Sequence, residues 1–537
     1  MNRRTFLKTG ASAVLGCRDL AFLSHIAPVS AAQARVDPAI VRFDAAIEPL
    51  VRLLEETSRD RLFEEIAARI KKGLTYKETL AALLLAGIRN VQPRPSVGFK
   101  FHAVLVVHSA HLVASASPPS DRWLPLFWAL DQFKRSQATD VGEGDWTMRA
   151  VDLKALPSAA QAVHAFTTAM DEWDEPRADA AAAVLARTLP PQDVFEIFAR
   201  YAARDFRSIG HKTIYMANAW RTLDTIGWQH SEPVLRSLAY AFLAREGTDP
   251  LKGDAQADRP WQRNQRLAGR VRPDWRHGHS DAGATKDMLA VFREGSAEET
   301  ADRVVALVQR RIAPESIWDG VMCGASELLM RNPGILSLHA VTTTNAIRYL
   351  FERTRSDETR RMLLLQNAAF LPFYRTGGSA VRIDELSPVA PSGPSEGWVE
   401  EICARIGRDN PLAARQVLGY LARHRTPGAL LQAANRLVFL KGNDSHDYKF
   451  SAAVLEDYDR LSPSWRELHL AASVFWLNGS GTPDNQLVQQ ARQTLAEQAA
   501  GSTFKSGACR ASIYGAIMLQ KWSPHERRES DFRSPGS

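Results

Sequence analysis

Apolar residues recur at the helical period along almost the whole chain. Residues 44–72 place Ile47, Leu50, Val51, Leu54, Phe63, Ile66 and Ile70 at three- and four-residue steps, and comparable stretches follow to about residue 499. Strand-like alternation flanking Asn-Gly or Asp-Gly turns does not occur. Short Pro- or Gly-marked turns, such as Leu189-Pro190-Pro191, Asn332-Pro333-Gly334 and Thr426-Pro427-Gly428, separate the periodic stretches. Such a chain is expected to be all-α, a multi-helix bundle or stacked helical hairpins without significant sheet. No strict repeat names a solenoid. Two segments break the pattern. Residues 248–287, rich in Asp, Arg, Gly, Trp and His, read as a long loop, and residues 386–396 read as a linker-like crossing. One helical domain is expected over residues 35–522, followed by a charged, disordered tail over 523–537.

The N-terminus reads as an address. Arg3-Arg4-Thr5-Phe6-Leu7-Lys8 resembles a twin-arginine (Tat) export signal, with Asn2 where Ser or Thr is usual. The weakly apolar run Thr9–Gly16 and the small residues before Ala34 complete a cleavable leader over residues 1–34. Val14-Leu15-Gly16-Cys17 also fits a lipobox. Cleavage after Ala34 is the favoured expectation over lipid anchoring at Cys17, because Ala32-Gln33-Ala34 suits ordinary processing. The expected protein is therefore periplasmic, with the Tat machinery as an export partner. That route carries chains already folded, often around a cofactor.

Composition narrows the partners. The leader holds +3 of the formal charge of +7, so the mature chain is only mildly basic. No lysine-rich tract or aromatic-basic interleaving points to nucleic acid. Beyond the leader no apolar run reaches the roughly 18–20 residues that cross a bilayer. Cys323, Cys403 and Cys509 remain after the leader, without Cys-x-x-Cys or haem-attachment spacing. No Walker loop, dinucleotide fingerprint, His-Glu-x-x-His or Gly-x-Ser-x-Gly occurs.

The chemistry lies in histidines set on apolar helices. His102, His108 and His111 interrupt a nearly all-apolar stretch, while His164, His211, His230 and His339 begin or sit within others. A buried imidazole needs either a hydrogen-bond partner, commonly a backbone carbonyl, or a metal. Several converging in one interior would be ligands. The most specific unit is Gly442-Asn443-Asp444-Ser445-His446-Asp447-Tyr448-Lys449. Asp444 or Ser445 suits a helix N-cap, which puts His446 and Lys449 three apart on one face of the first turn. There the helix dipole and desolvation both favour a neutral lysine amine. Such an amine can capture carbon dioxide as a carbamate, an anionic ligand for a metal. His277 and His279 read as loop residues, Gly142–Trp146 as a turn, and Trp123–Asp131 as core.

The Phe-His pair at His102, Gly-His211, His339-Ala-Val-Thr and Asp-Ser-His446-Asp-Tyr-Lys449, in that order, resemble motifs of the questin oxidase-like family. Together they cover about a tenth of the chain. The family pattern near the first motif is richer in histidine (His-Asn-His followed by His-His), where this chain carries Ala103, Val104 and Val107, and it tends to have a second histidine where Tyr215 stands. The resemblance implies a metal-dependent oxidase or oxygenase of non-haem iron type, acting on a small organic substrate of aromatic or polyketide-like character. It implies His211, His339 and His446 as ligands, His102 or His108 as a further one, and carboxylated Lys449 as the anionic ligand. Tyr215 or Tyr448 is the expected hydrogen-bond donor beside it. The competing expectation is a non-enzymatic periplasmic helical-repeat binding protein whose histidines are core residues.

Overall fold

A computed structural model describes residues 37–94, 97–244 and 253–500. The leader and the tail expected from sequence, with Cys17 and Cys509, lie outside the described residues. The described chain holds twenty-three α-helices, and its only strand-like features are two isolated bridges, Ile40 to Arg149 and His279 to Ile312. No described helix is long and apolar enough to cross a membrane.

Local sequence sets the helix starts. Thr75 with Glu78, Ser296 with Glu299, and Asp444 with Asp447 each form a reciprocal capping box, satisfying backbone donors that the helix itself leaves free. The expected helix over 44–72 is two, Glu48–Glu56 and Leu62–Lys71. The stretch 100–116 is also broken. A 3₁₀ turn at Phe99–Phe101 leads into a short helix His102–Leu105, and Val107–Ser115 follows. The long loop expected at 248–287 contains the helix Arg259–Ala268, and its last residues already belong to Ala282–Glu294. Its high content of Arg and Gln hid a narrow apolar stripe, of which Leu267 and Ala268 are buried. The crossing at 386–396 is non-helical except for the start of a 3₁₀ turn at Ser395.

Three helices are buried along almost their whole length and form the centre: His211–Ile226, Ile335–Arg353 and Ser445–Tyr458. The second packs against both others, and the 102–115 segment packs against the first and third. Other helices surround this core, so its inner positions lack an aqueous side. Polar residues there must be satisfied by each other or by a ligand.

Candidate metal centre

The inner helices bring four distant histidines together. His102, His211, His339 and His446 present ligand atoms that all lie within 4.8 Å of one another. Their rings close a circuit, with centroid separations of 4.9 Å (102–211), 4.5 Å (211–339), 5.0 Å (339–446) and 4.7 Å (446–102). His211 and His339 are buried, while His102 and His446 are half-buried and give the group its more open side. Each histidine lies in the first turns of its helix: His102 and His211 are the first residues of theirs, and His446 is the second.

The hydrogen bonds decide which ring atoms point inward. Nδ1 of His102 donates to the Phe99 carbonyl (2.9 Å), that of His211 to Ser208 (2.7 Å) and that of His339 to Ile335 (2.6 Å). Nδ1 of His446 donates to the Asp444 carboxylate. With the proton fixed on Nδ1 in every ring, each Nε2 carries a lone pair. Yet the Nε2 atoms of His211 and His102 stand 3.2 Å apart, and those of His339 and His211 3.0 Å. Nε2 of His446 is buried without any protein partner. Lone pairs facing each other at that distance repel, and a cation between them removes the repulsion. Metal–nitrogen bonds of about 2.0–2.2 Å place adjacent donor nitrogens roughly 3.0–3.5 Å apart, so the observed edges fit a single ion. The residues fit a metal.

Electrostatics keep the imidazoles neutral. Burial, and next the nearby Lys449, hold His102, His211 and His339 well below the usual imidazole range. Burial also lowers His446, with Asp444 opposing. Lys449 is buried, its Nζ has no hydrogen-bond partner, and burial lowers it to about 7. It shares the inward face of its helix with His446, three residues earlier. Among the described residues the cluster holds no carboxylate ligand. Three long helices begin at the site, and their positive dipole ends add to the demand for an anion there.

Glycine and strained backbone shape the walls. Gly210 has φ +86°, and a Cβ there would lie 2.0 Å from Thr343 Oγ1. A Cβ at Gly98 would press on the His211 ring at 3.1 Å. Ile209 (φ +45°) and Phe99 (φ +39°) adopt left-handed backbone, which costs a non-glycine residue about 1–2 kcal/mol. Both flank the site: the Phe99 carbonyl orients His102, and the Ile209 carbonyl accepts from Tyr374 (3.1 Å) and Thr343 (3.3 Å).

Three expected site residues stand elsewhere. His108 is not in the cluster. It follows His102 by six residues across the helix break at Val106, and its Nε2 faces Glu456 at 3.5 Å. Tyr215 lies one turn deeper than His211 and donates to Ser237 at 2.9 Å. Tyr448 lies on the far side of its helix from His446, its ring stacked on Trp128 at 4.1 Å. His164, His277 and His279 are exposed, and His230 is buried beside Gln229. The sequence reading placed Asp444 only as a cap; its carboxylate also orients His446. No sequence signal marks Gly98 or Phe99 as part of the site. Compared with known proteins, the chain matches no family model, no curated protein and no solved structure.

Proposed function

We propose that the four histidines hold a non-haem transition metal, iron in the reading that the motif resemblance favours. The chain would then be an exported oxidase or oxygenase acting on a small organic substrate of aromatic or polyketide-like type. The observation that carries this is the convergence of four Nε2 lone pairs whose Nδ1 protons are all committed elsewhere. A metal held there by His102, His211, His339 and His446 would supply Lewis-acid and redox chemistry.

The chain's own residues do the rest. Phe99, Ser208 and Ile335 carbonyls and the Asp444 carboxylate fix the imidazole tautomers and orientations. Lys449, lowered to about 7 by burial and so partly neutral near pH 7, would take up carbon dioxide as a carbamate with release of a proton, and that anion would compensate a dication held by neutral imidazoles. Phe99 and Ile335, 76% and 45% exposed, stand one hydrogen bond from His102 and His339. They form an apolar rim suited to an organic substrate. The N-terminal twin arginine supports export of a chain that folds around its metal before crossing.

The test is oxygen consumption by protein loaded anaerobically with ferrous iron, on adding polyphenolic or anthraquinone-type compounds. Substrate-dependent uptake that Lys449→Ala abolishes supports the proposal. A protein that binds these compounds or a periplasmic partner without consuming oxygen would instead be the non-enzymatic binder.

A further inference from the structure

Two histidines outside the cluster, His277 and His279, line a second cavity together with Arg276, Arg311 and Glu315. Its volume is about 430 Å³, within the range of sites that hold a small organic molecule. The cavity opens at the first residues of the helix Pro314–Arg331, whereas His339 lies beyond the last residue of that helix. Most of the helix, roughly 27 Å long at 1.5 Å per residue, lies between the two sites.

Backbone contacts fix the walls. The His279 N–H donates to the Arg311 carbonyl at 2.9 Å, and the Ala313 N–H donates to the His279 carbonyl at 2.9 Å. Gly278 sits where the two segments touch, and a Cβ there would lie 2.6 Å from the Arg311 carbonyl oxygen. Behind them Trp275 is buried, and its indole N–H donates to Asp357 at 2.8 Å. Arg272 donates to the Asp274 and His277 carbonyls, each at 3.0 Å. The segment is thus fastened on both sides while the Arg276, His277, His279 and Arg311 side chains face solvent. A wall held this way spares a ligand part of the cost of ordering it.

Charge decides what the cavity takes. Among the described residues the Arg276 and Arg311 guanidiniums have no ion-pair or hydrogen-bond partner. The acids nearby in sequence are engaged elsewhere: Asp274 pairs with Arg272 at 2.8 Å, and Asp281 accepts from the Gly283 N–H at 2.7 Å. Burial, and next Arg276, lower Arg360, so a third guanidinium stands close by. Glu315 is the one carboxylate in the lining. Among the described residues, the only His, Cys, Asp or Glu group close enough to hold a metal is the four-histidine cluster, so His277, His279 and Glu315 do not make a cation site. Two unpaired guanidiniums with two imidazoles suit an oxyanion that offers several acceptor atoms. The start of the helix Pro314–Arg331 adds its positive dipole end. Ala313 is the one apolar side chain of the lining, unlike the apolar rim of the histidine site, so the remainder of the ligand is polar. Glu315 can accept from its hydroxyl groups.

We propose that this cavity binds a phosphate monoester of a hydroxyl-bearing small molecule, a sugar or polyol phosphate, with the phosphoryl group between Arg276 and Arg311 and a ligand hydroxyl on Glu315. A phosphate monoester carries about −1.5 to −2 charge at pH 7, which matches two guanidiniums better than a single carboxylate does. The site is independent of the proposed metal chemistry.

The experiment is isothermal titration calorimetry of the full chain at low salt with glycerol 3-phosphate, inorganic phosphate and glycerol. Glycerol 3-phosphate should bind saturably, one per chain and at least tenfold tighter than inorganic phosphate, and glycerol should not bind. Arg276→Gln and Arg311→Asn should each weaken binding at least tenfold with unchanged circular dichroism. Arg311 has φ +62°, a conformation that Asn tolerates, so Arg311→Asn removes the charge without disturbing the turn. Glu315→Gln should remove the preference for glycerol 3-phosphate over inorganic phosphate. Absence of saturable binding, equal affinity of the wild type for the two phosphates, or affinity unchanged in both arginine variants overturns the proposal. Phosphatidylcholine vesicles containing phosphatidic acid separate a lipid headgroup from a free ligand. Binding to those vesicles without binding to glycerol 3-phosphate would overturn it as well.

Discussion

Replacing Asp444 by Asn separates the two tasks of one side chain. Asp444 caps the helix Ser445–Tyr458, accepting from the His446 backbone N–H at 2.7 Å, and the same oxygen accepts from His446 Nδ1. Asn caps a helix about as well as Asp, so the metal-free variant should stay within about 0.5 kcal/mol of wild type. What it lacks is the negative charge that holds the ring proton on Nδ1 and raises the basicity of Nε2. Losing such a partner typically costs about 10–100-fold in metal affinity, equivalent to about 1.4–2.8 kcal/mol. The His446 ring is the main reason the Asp444 carboxyl is lowered to about 2, ahead of its backbone contact, so this group's share of stability is present above about pH 4 and fades as pH falls toward 2. Asp444→Asn should lose that acid dependence too. Urea unfolding with a chelator present gives the first quantity, and competition against a chromophoric chelator gives the second. Unchanged metal affinity in a variant of unchanged stability would refute the role assigned to Asp444.

Other outcomes follow from the same geometry. His211→Ala and His339→Ala should each abolish stoichiometric metal binding and destabilise the fold by about 2–4 kcal/mol, read by metal analysis and urea denaturation. Lys449→Ala should lose metal or activity and recover part of it with added short carboxylic acids, whereas Lys449→Arg should not recover, because a permanent cation repels the ion. In metal-free, carbon-dioxide-free buffer, Lys449 titrates near 7 folded and near 10.4 unfolded. The unfolded chain then binds the extra proton, so stability relative to Lys449→Met should rise with pH between these values, by on the order of 1.4 kcal/mol per unit. Gly210→Ala, at φ +86° against Thr343, should lower the urea midpoint by the equivalent of more than 1 kcal/mol. Changing Arg3 and Arg4 to Lys should leave the precursor in the cytoplasm by cell fractionation; normal periplasmic accumulation would show another export route.

Much of the fold was legible because amphipathic helices write their period locally. Where Leu62–Lys71 or Ile335–Arg353 runs is decided by spacing that any short window contains. The Arg259–Ala268 helix was missed because only a narrow stripe of it is buried. The site was legible in part. His211, His339 and His446 stood out as imidazoles among apolar neighbours, but more than a hundred residues separate each from the next, and only tertiary packing brings their ligand atoms within 4.8 Å of one another. The choice between His102 and His108 turned on a helix break at Val106 that periodicity does not register. Tyr215 was misplaced because its partner, Ser237, comes from a neighbouring helix. Asp444's second role was hidden because a cap and a ligand-orienting carboxylate have the same sequence signature.

The central claim is that four inward lone pairs exist to hold one metal ion. X-ray data collected on either side of a transition-metal absorption edge, from crystals of protein purified without added metal, test it most directly. The account predicts one anomalous peak per chain, about 2.0–2.2 Å from Nε2 of His102, His211, His339 and His446. It would be contradicted by an intact cluster with no peak there after soaking in ferrous, zinc and manganese salts, its imidazoles hydrogen-bonded to one another or to water.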